Sequence, residues 1–321
     1  MKKESEAANR ISNVISNVSL KSADVFAAPA GGFQMQSPAD VSRKPAIVCE
    51  EVSAGYGSGK KEKEILHSLS FTIKEGQCCA LLGQNGCGKT TLLRTLTGLL
   101  PYNGEIRICG ENLRKMNRKQ IAEKMAMLTQ LSEVYFSFTV RETVEMGRYV
   151  RGIHSSHDRE KIDECLELTG LEDMEDKQIG ELSGGQMQRV FLARTIAQET
   201  PIILLDEPMN HLDLRYQVRL MEYLETWAKG ETALPDGRTY RNTLIGVCHD
   251  ITMAAGISDY LIFIREGRIA AMGDKREVLT RDVLKSVYGI DVAEYMKRGQ
   301  AVQNELLFGK EDQGGNQRKN F

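Results

Sequence analysis

Apolar residues along this chain fall into short solid runs that alternate with stretches repeating at helical spacing. Ala46–Val52, Ile65–Ile73, Cys78–Leu82, Ile202–Leu205, Leu244–Cys248 and Tyr260–Ile264 are brief, rich in large aliphatic residues, and read as strands. The run Cys78–Leu82 stops at Gly83, as suits a strand buried on both faces, and Gly104–Cys109 reads as an edge strand. Between the strands, Leu92, Leu93, Leu96, Leu99 and Leu100 recur with a helical period. Ile162, Cys165, Leu166 and Thr169 share a face behind Asp158 as N-cap, and Leu220, Met221, Leu224, Trp227 and Ala228 mark a further helix. Residues 131–182 read mostly as helices. Strand–helix alternation of this kind predicts an α/β fold, a mostly parallel sheet covered by helices.

The two ends break the pattern. Residues 1–44 are rich in Ala, Ser, Asn and Gly and are predicted to be a disordered extension. A tandem, Ile11-Ser12-Asn13-Val14 then Ile15-Ser16-Asn17-Val18, would set Ile11, Val14, Ile15 and Val18 on one helical face, although Ser and Asn oppose the helix. Residues 298–321 are polar and predicted to be a flexible tail, leaving 45–297 as the ordered domain.

Charge and cysteine content narrow the function classes. Net charge is −2 and the pI about 6.3, so no basic excess points to a nucleic-acid partner. The chain has no apolar run of the roughly 18 residues a membrane span needs, and its polar N-terminus makes a poor signal peptide, so a cytoplasmic position is expected. The seven cysteines are odd in number and match no zinc or redox spacing, which predicts reduced, mostly buried thiols.

Gly83-Gln84-Asn85-Gly86-Cys87-Gly88-Lys89-Thr90, followed by Thr91, fits the pattern G-x-x-x-x-G-K-[ST]. Small residues let backbone N–H groups curl around phosphate oxygens, and a helix starting near Lys89 aims its positive end at the same anion. Lys89 would reach the β and γ phosphates and Thr90 would ligate Mg2+. The preceding apolar strand and following amphipathic helix are the context this pattern requires. Cys87, inside the loop and near Lys89, is a candidate exposed thiol of lowered pKa; the plain alternative is an inert small residue.

Ile202-Ile203-Leu204-Leu205 delivers Asp206 and Glu207 to a strand's carboxyl end, where doubly wound sheets bind ligands. Asp206 suits a magnesium ligand through water, and Glu207 suits a general base for the attacking water. The plain alternative is that both acids cap the next segment.

Leu182-Ser183-Gly184-Gly185-Gln186 reads physically as a serine-capped helix start with two glycines. With the phosphate loop and the acid pair, it makes residues 46–290 resemble the ABC-transporter ATPase family. The resemblance implies a P-loop ATPase fold with an antiparallel β subdomain and an inserted helical subdomain at about 131–182. It implies a homodimer in which Ser183, Gly184, Gly185 and Gln186 of one copy close over ATP and Mg2+ held by the other. Tyr56 resembles the aromatic that stacks on adenine. Gln130 resembles the glutamine that touches the metal or water and relays nucleotide state to the membrane subunit. Asp213, in Asn210-His211-Leu212-Asp213, resembles the acid of the dimer-interface loop, and His249 the histidine that contacts the γ phosphate. The interval from Asp206 to His249 is longer than the resemblance leads one to expect, and residues 230–242 read as an inserted turn or hairpin.

The segment Thr139–Tyr149 and the stretch Gly273 to Ile290 resemble importers of iron chelates, haem and cobalamin, although Val150 stands where those relatives often have proline. The resemblance favours an ATPase for ferric-siderophore import. It would lie on the cytoplasmic face of the membrane, with integral-membrane permease subunits as direct partners and an extracytoplasmic substrate-binding protein as an indirect one. The alternatives are an ATPase of a haem, cobalamin or other ABC transporter, an exporter included, and a soluble ATP-driven switch.

Overall fold

The computed structural model describes residues 43–57, 63–129, 138–151, 156–210 and 212–308. The chain opens with β1 (Pro45–Tyr56), β2 (Lys63–Lys74), β3 (Cys78–Leu82), α1 (Lys89–Leu96), β4 (Tyr102–Ile108), β5 (Glu111–Asn112), α2 (Arg118–Lys124) and β6 (Met125–Leu128). A helical stretch follows: α3 (Val140–Glu145), α4 (Ser156–Thr169) and α5 (Gly184–Ala197). Then come β7 (Ile202–Asp206), α6 (Leu214–Ala228), β8 (Glu231–Ala233), β9 (Thr239–Arg241), β10 (Thr243–Val247) and α7 (Ile251–Ile257). The chain continues through β11 (Tyr260–Arg265), β12 (Arg268–Asp274), α8 (Lys275–Val278), α9 (Arg281–Tyr288) and α10 (Val292–Phe308).

The central sheet has the order β12-β11-β3-β10-β7-β6, parallel except for β12. Parallel strands are stable only when both faces are covered, and the side-chain alternation divides the molecule accordingly. Cys79 and Leu81 of β3, with Ile202 and Leu204 of β7, face a core shared with α1 and the antiparallel sheet β2-β1-β4-β5. Ile203 and Leu205 turn the other way, onto Val190 and Phe191 of α5 and Ile162 and Leu166 of α4. Ala80 and Leu82 meet Leu261, Phe263, Leu284 and Val287. Each of these large aliphatic side chains contributes about 1.5–3 kcal/mol through burial. The α/β class, the antiparallel lobe and the helical lobe all follow the sequence-based expectation.

Several boundaries differ from that expectation. Helix α1 ends at Leu96 because Gly98 takes the left-handed conformation (φ 65°), so Leu99 is 55% exposed rather than part of the apolar stripe. Strand β4 is not an edge: β1 and the two-residue β5 flank it. Helix α4 begins at Ser156, so Asp158 lies in its first turn, not at its cap. The Asp158 carboxylate is buried and serves Arg148 instead. Helix α10 runs to Phe308, past the start of the tail read as flexible. The tandem within residues 11–18 lies outside the described residues.

The insertion at 230–242 is a hairpin, β8–β9, tied at both ends. Arg238 Nη2 bonds Glu111 Oε1 of β5 at 2.9 Å, and Arg151 Nη1 donates to the Ala233 carbonyl at 3.1 Å. At its base Asn242 Nδ2 donates to the Trp227 carbonyl at 2.7 Å.

Within the helical lobe, Arg148 is 2% exposed and bonds three groups, one on α4 and two at the end of α5. Its guanidinium donates to Asp158 Oδ1 at 2.8 Å, to Glu199 Oε2 at 2.6 Å and to the Ala197 carbonyl at 2.8 Å. Burial works against the Glu199 carboxylate, but Arg148 and His157 hold its pKa below the ordinary value. Removing one partner leaves buried carboxylates uncompensated, so Arg148→Ala is expected to cost about 3–5 kcal/mol in urea unfolding. Because the Glu199 pKa is depressed, its contribution is present above the unfolded carboxyl value and is lost as pH falls below it. The wild-type stability should therefore decline on acidification through that range more steeply than that of the Arg148→Ala variant.

Candidate active site

The phosphate-loop residues connect β3 to α1, and backbone geometry explains their identities. Gly83 has φ +148°, and a Cβ there would sit 2.1 Å from the Ile264 carbonyl oxygen. Gly88, at φ 112°, caps α1 without any side-chain hydrogen bond, and no acidic residue occupies the first turn. The first N–H groups of α1 thus have no side-chain cap and the helix dipole behind them, an arrangement that suits an anion. Gln84, Asn85 and Gly86 are exposed at the loop's tip, Thr90 is half-buried and Thr91 is buried. Lys89 is 6% exposed and its ammonium donates to Gly83 O at 2.8 Å and Gln84 O at 2.9 Å.

Of the two readings of Cys87, the structure favours the inert one. It is only 7% exposed, and burial raises its pKa against the opposing pull of Lys89, 4.0 Å away. Cys87 is a packed side chain rather than an activated thiol. Of the seven cysteines, five are buried and Cys78 and Cys109 are half-buried, as the apolar runs around them suggest.

Strand order brings the other residues alongside. Strand β10 lies between β3 and β7, in parallel register with both. The carboxyl ends of the three strands therefore deliver the phosphate loop, His249, and the pair Asp206–Glu207 to one edge. Asp206 is 1% exposed, and burial raises its pKa, with the Thr90 hydroxyl as the largest opposing influence. That hydroxyl still leaves both carboxylate oxygens buried without a hydrogen bond of good geometry. A buried carboxylate left unsatisfied beside a threonine hydroxyl fits the donor set of a hydrated Mg2+.

Glu207 adopts a left-handed backbone (φ 55°), a conformation that costs a non-glycine residue about 1–3 kcal/mol. The surrounding bonds hold it there. His249 Nε2 bonds Glu207 Oε1, Asn210 Nδ2 donates to Oε2 at 2.5 Å, and Gln188 Nε2 donates to the Glu207 carbonyl at 3.4 Å. His249 therefore engages the carboxylate expected to act as base. Asn210 and Gln188 are site residues that sequence reasoning did not single out. Asn210 lay within a noted segment, but its contact depends on a turn in which its N–H donates to Glu207 O. Nothing in the local pattern marks Gln188, one turn inside α5.

The remaining expected site residues are spread over other lobes. Ser183 caps α5, accepting from Gln186 N at 3.3 Å while Gln186 Oε1 accepts from Ser183 N at 2.9 Å. Ser183 and Gly184 are exposed, and Gly185 and Gln186 half-buried, on the helical core rather than the core beneath the phosphate loop. Tyr56 ends β1, is 39% exposed, and its hydroxyl accepts from Arg94 at 3.4 Å. Asp213 is the N-cap of α6, accepting from Tyr216 N at 3.2 Å. Gln130 and His211 lie outside the described residues.

Residues 66–210 match the ABC transporter family model. An iron(3+)-hydroxamate import ATP-binding protein of Bacillus subtilis (strain 168) is 36% identical over 251 residues, covering 77% of this chain and 88% of the relative. This chain belongs to the ABC transporter family. A ferric enterobactin transport ATP-binding protein of Escherichia coli (strain K12) is 34% identical over 246 residues, covering 75% of this chain and 86% of that one. Among solved structures, an ATP-binding cassette caught as a post-hydrolysis dimer with ADP and Pi is similar with a TM-score of 0.61 and 27% identity. That match covers 71% of this chain and 98% of the cassette. The chain is an ATP-binding and ATP-hydrolysing ABC subunit, and no described helix is long and apolar enough to cross a membrane.

The orphaned carboxylate sets up a trade between stability and activity. Asp206→Asn removes a buried charge and should stabilise the nucleotide-free protein by about 1–3 kcal/mol in thermal or urea unfolding at neutral pH. The same variant should lose magnesium-dependent ATP hydrolysis, measured by phosphate release.

Proposed function

We propose that this chain is the ATPase of an importer for ferric siderophores or related iron chelates, acting as a homodimer on separate membrane permease subunits. The observation that carries the ATPase part of this reading is Glu207, held by His249 and Asn210 at the carboxyl edge beside the phosphate loop. The cargo reading rests on the relatives, import ATP-binding proteins for iron(3+)-hydroxamate and ferric enterobactin, each matched over most of its length.

In this reading Tyr56 stacks on adenine, and the amides of Gly83, Asn85, Gly86, Cys87 and Gly88, with those of Lys89, Thr90 and Thr91, surround the phosphates. Lys89 has three N–H donors and shares two with loop carbonyls, which leaves its charge available to the β and γ phosphates. Thr90 and Asp206 would hold Mg2+, assisted by Gln130, and the ion when bound neutralises charge on the phosphate oxygens. Glu207 accepts the proton of the attacking water. His249 fixes the rotamer of Glu207 and offers its ring to the γ phosphate. Ser183, Gly184, Gly185 and Gln186 of a second copy close over the triphosphate, with Asp213 at the interface. Loss of the γ phosphate then releases the copies, and the segment from Gln130 to Tyr149 passes the change to the permease. An extracytoplasmic binding protein would choose the cargo, so the subunit would lie at the cytoplasmic face.

Glu207→Gln keeps a side chain of the same shape but removes the base. It should bind ATP, accumulate as a closed dimer in size-exclusion chromatography with ATP, and hydrolyse at least about 100-fold more slowly. Undiminished turnover in that variant would remove Glu207 from the base role. In cells relying on this ATPase, Glu207→Gln should also abolish uptake of radioiron delivered as a ferric siderophore. Unchanged uptake would refute the assigned cargo while leaving the ATPase reading intact.

A further inference from the structure

Glu207 is held from two sides that differ in kind. His249 follows β10 and engages Glu207 Oε1 through Nε2. Asn210 belongs to the turn that follows β7, and its Nδ2 donates to Glu207 Oε2 at 2.5 Å. The Asn210 N–H also donates to the Glu207 carbonyl at 3.2 Å, so backbone and side chain of one residue grip the other. Glu207 has a left-handed backbone just past the end of its strand, where the extended geometry of β7 no longer sets the direction of the side chain. Directed hydrogen bonds set it instead.

The turn is a firm platform for the asparagine. Leu212 is buried in the helical core, and Met209 packs against the same core. Gln217 of α6 closes the turn, its Nε2 donating to the Leu212 carbonyl at 2.9 Å and to the Met209 carbonyl at 3.3 Å. Asn210 itself is exposed. Packing therefore fixes the turn, while the grip of the turn on the carboxylate is the side-chain amide of Asn210.

His249 has a second task in the proposed cycle, since its ring is also offered to the γ phosphate. The nitrogen that engages Glu207 is Nε2, and one N–H cannot point squarely at a carboxylate and a phosphate together. The Asn210 amide meets the other carboxylate oxygen and can stay there. We infer that Asn210 is a positioning residue for hydrolysis, keeping the Glu207 carboxylate aimed at the attacking water while His249 turns to the nucleotide. The inference rests on the reading of Glu207 as the base. It assigns Asn210 to kcat rather than to ATP binding, because the amide is bonded to the base and not to the phosphate loop.

The test uses the full-length protein, with ATP affinity from calorimetry and kcat and KM from phosphate release. Asn210→Ala should lower kcat about ten- to a hundredfold, the effect of losing a hydrogen bond to a charged group, with ATP affinity within about twofold of wild type. Asn210→Asp keeps the outline of the side chain but sets one carboxylate against another, so its kcat should fall below that of Asn210→Ala. A residue needed only to shape the turn would give the reverse order, because aspartate suits turns better than alanine. That order, or an unchanged kcat in folded Asn210→Ala, would overturn the inference. Gln217→Ala is the control for the platform. It should lower the melting temperature and leave kcat within about twofold of wild type. A loss in Gln217→Ala equal to that in Asn210→Ala would assign the effect to the turn as a whole and count against Asn210. Glu207→Gln serves as the reference. Wild-type turnover there would remove the base reading, whereas an inactive Glu207→Gln beside a fully active Asn210→Ala would refute the positioning role alone.

Discussion

The hydrogen-bonded register of three parallel strands governs everything at the nucleotide edge. With neighbouring strands about 4.8 Å apart, β3, β10 and β7 leave no freedom in how far the phosphate loop stands from His249 or from the acid pair. Alternation along each strand then seals one face against α1 and the antiparallel lobe and the other against helices. The local irregularities at this edge, Gly83 and Gly88 with positive φ and Glu207 in a left-handed backbone, are tolerable because the strands behind them are buried and in register.

The site itself is underbonded at one point and overbonded at another. Asp206 keeps two buried oxygens without partners, whereas Glu207, one residue later, is held through both carboxylate oxygens and its carbonyl. A buried carboxylate whose lone pairs find no donor suits a cation. A carboxylate fixed by a histidine and an asparagine is prepared to take a proton at one place. Two adjacent carboxylates thus sit in different surroundings: Asp206, the last residue of β7, is buried, and Glu207, just past the strand, is half-buried.

Much of this was legible in the sequence because it is local. Solid apolar runs ending at Gly83 and Asp206 mark β3 and β7 nearly to the residue, and the spacing of Gly83, Gly88 and Lys89 marks the loop. Ser183 and Gln186 form the reciprocal cap that a serine followed three residues later by glutamine suggests. What could not be read depends on contacts between distant segments. Arg148 and Asp158 pair because α4 begins earlier than its apolar face suggests. His249 meets Glu207 only through strand order, and Gln188 and Asn210 find Glu207 only through its unusual backbone. The raised pKa of Cys87 follows from burial under the loop, which the nearby Lys89 does not reveal in a one-dimensional reading.

The β8–β9 hairpin occupies a position where surface loops usually accept change freely. Its anchors make it something else. Arg238 reaches the antiparallel lobe, the Ala233 carbonyl receives Arg151 of the helical lobe, and Asn242 locks the base to the end of α6. Trimming it would therefore remove one hydrogen-bonded tie to each flanking lobe, rather than shorten an ornament. Anyone fusing a reporter or an affinity tag to this subunit would do better at the far end of α10 than at this tempting exposed turn.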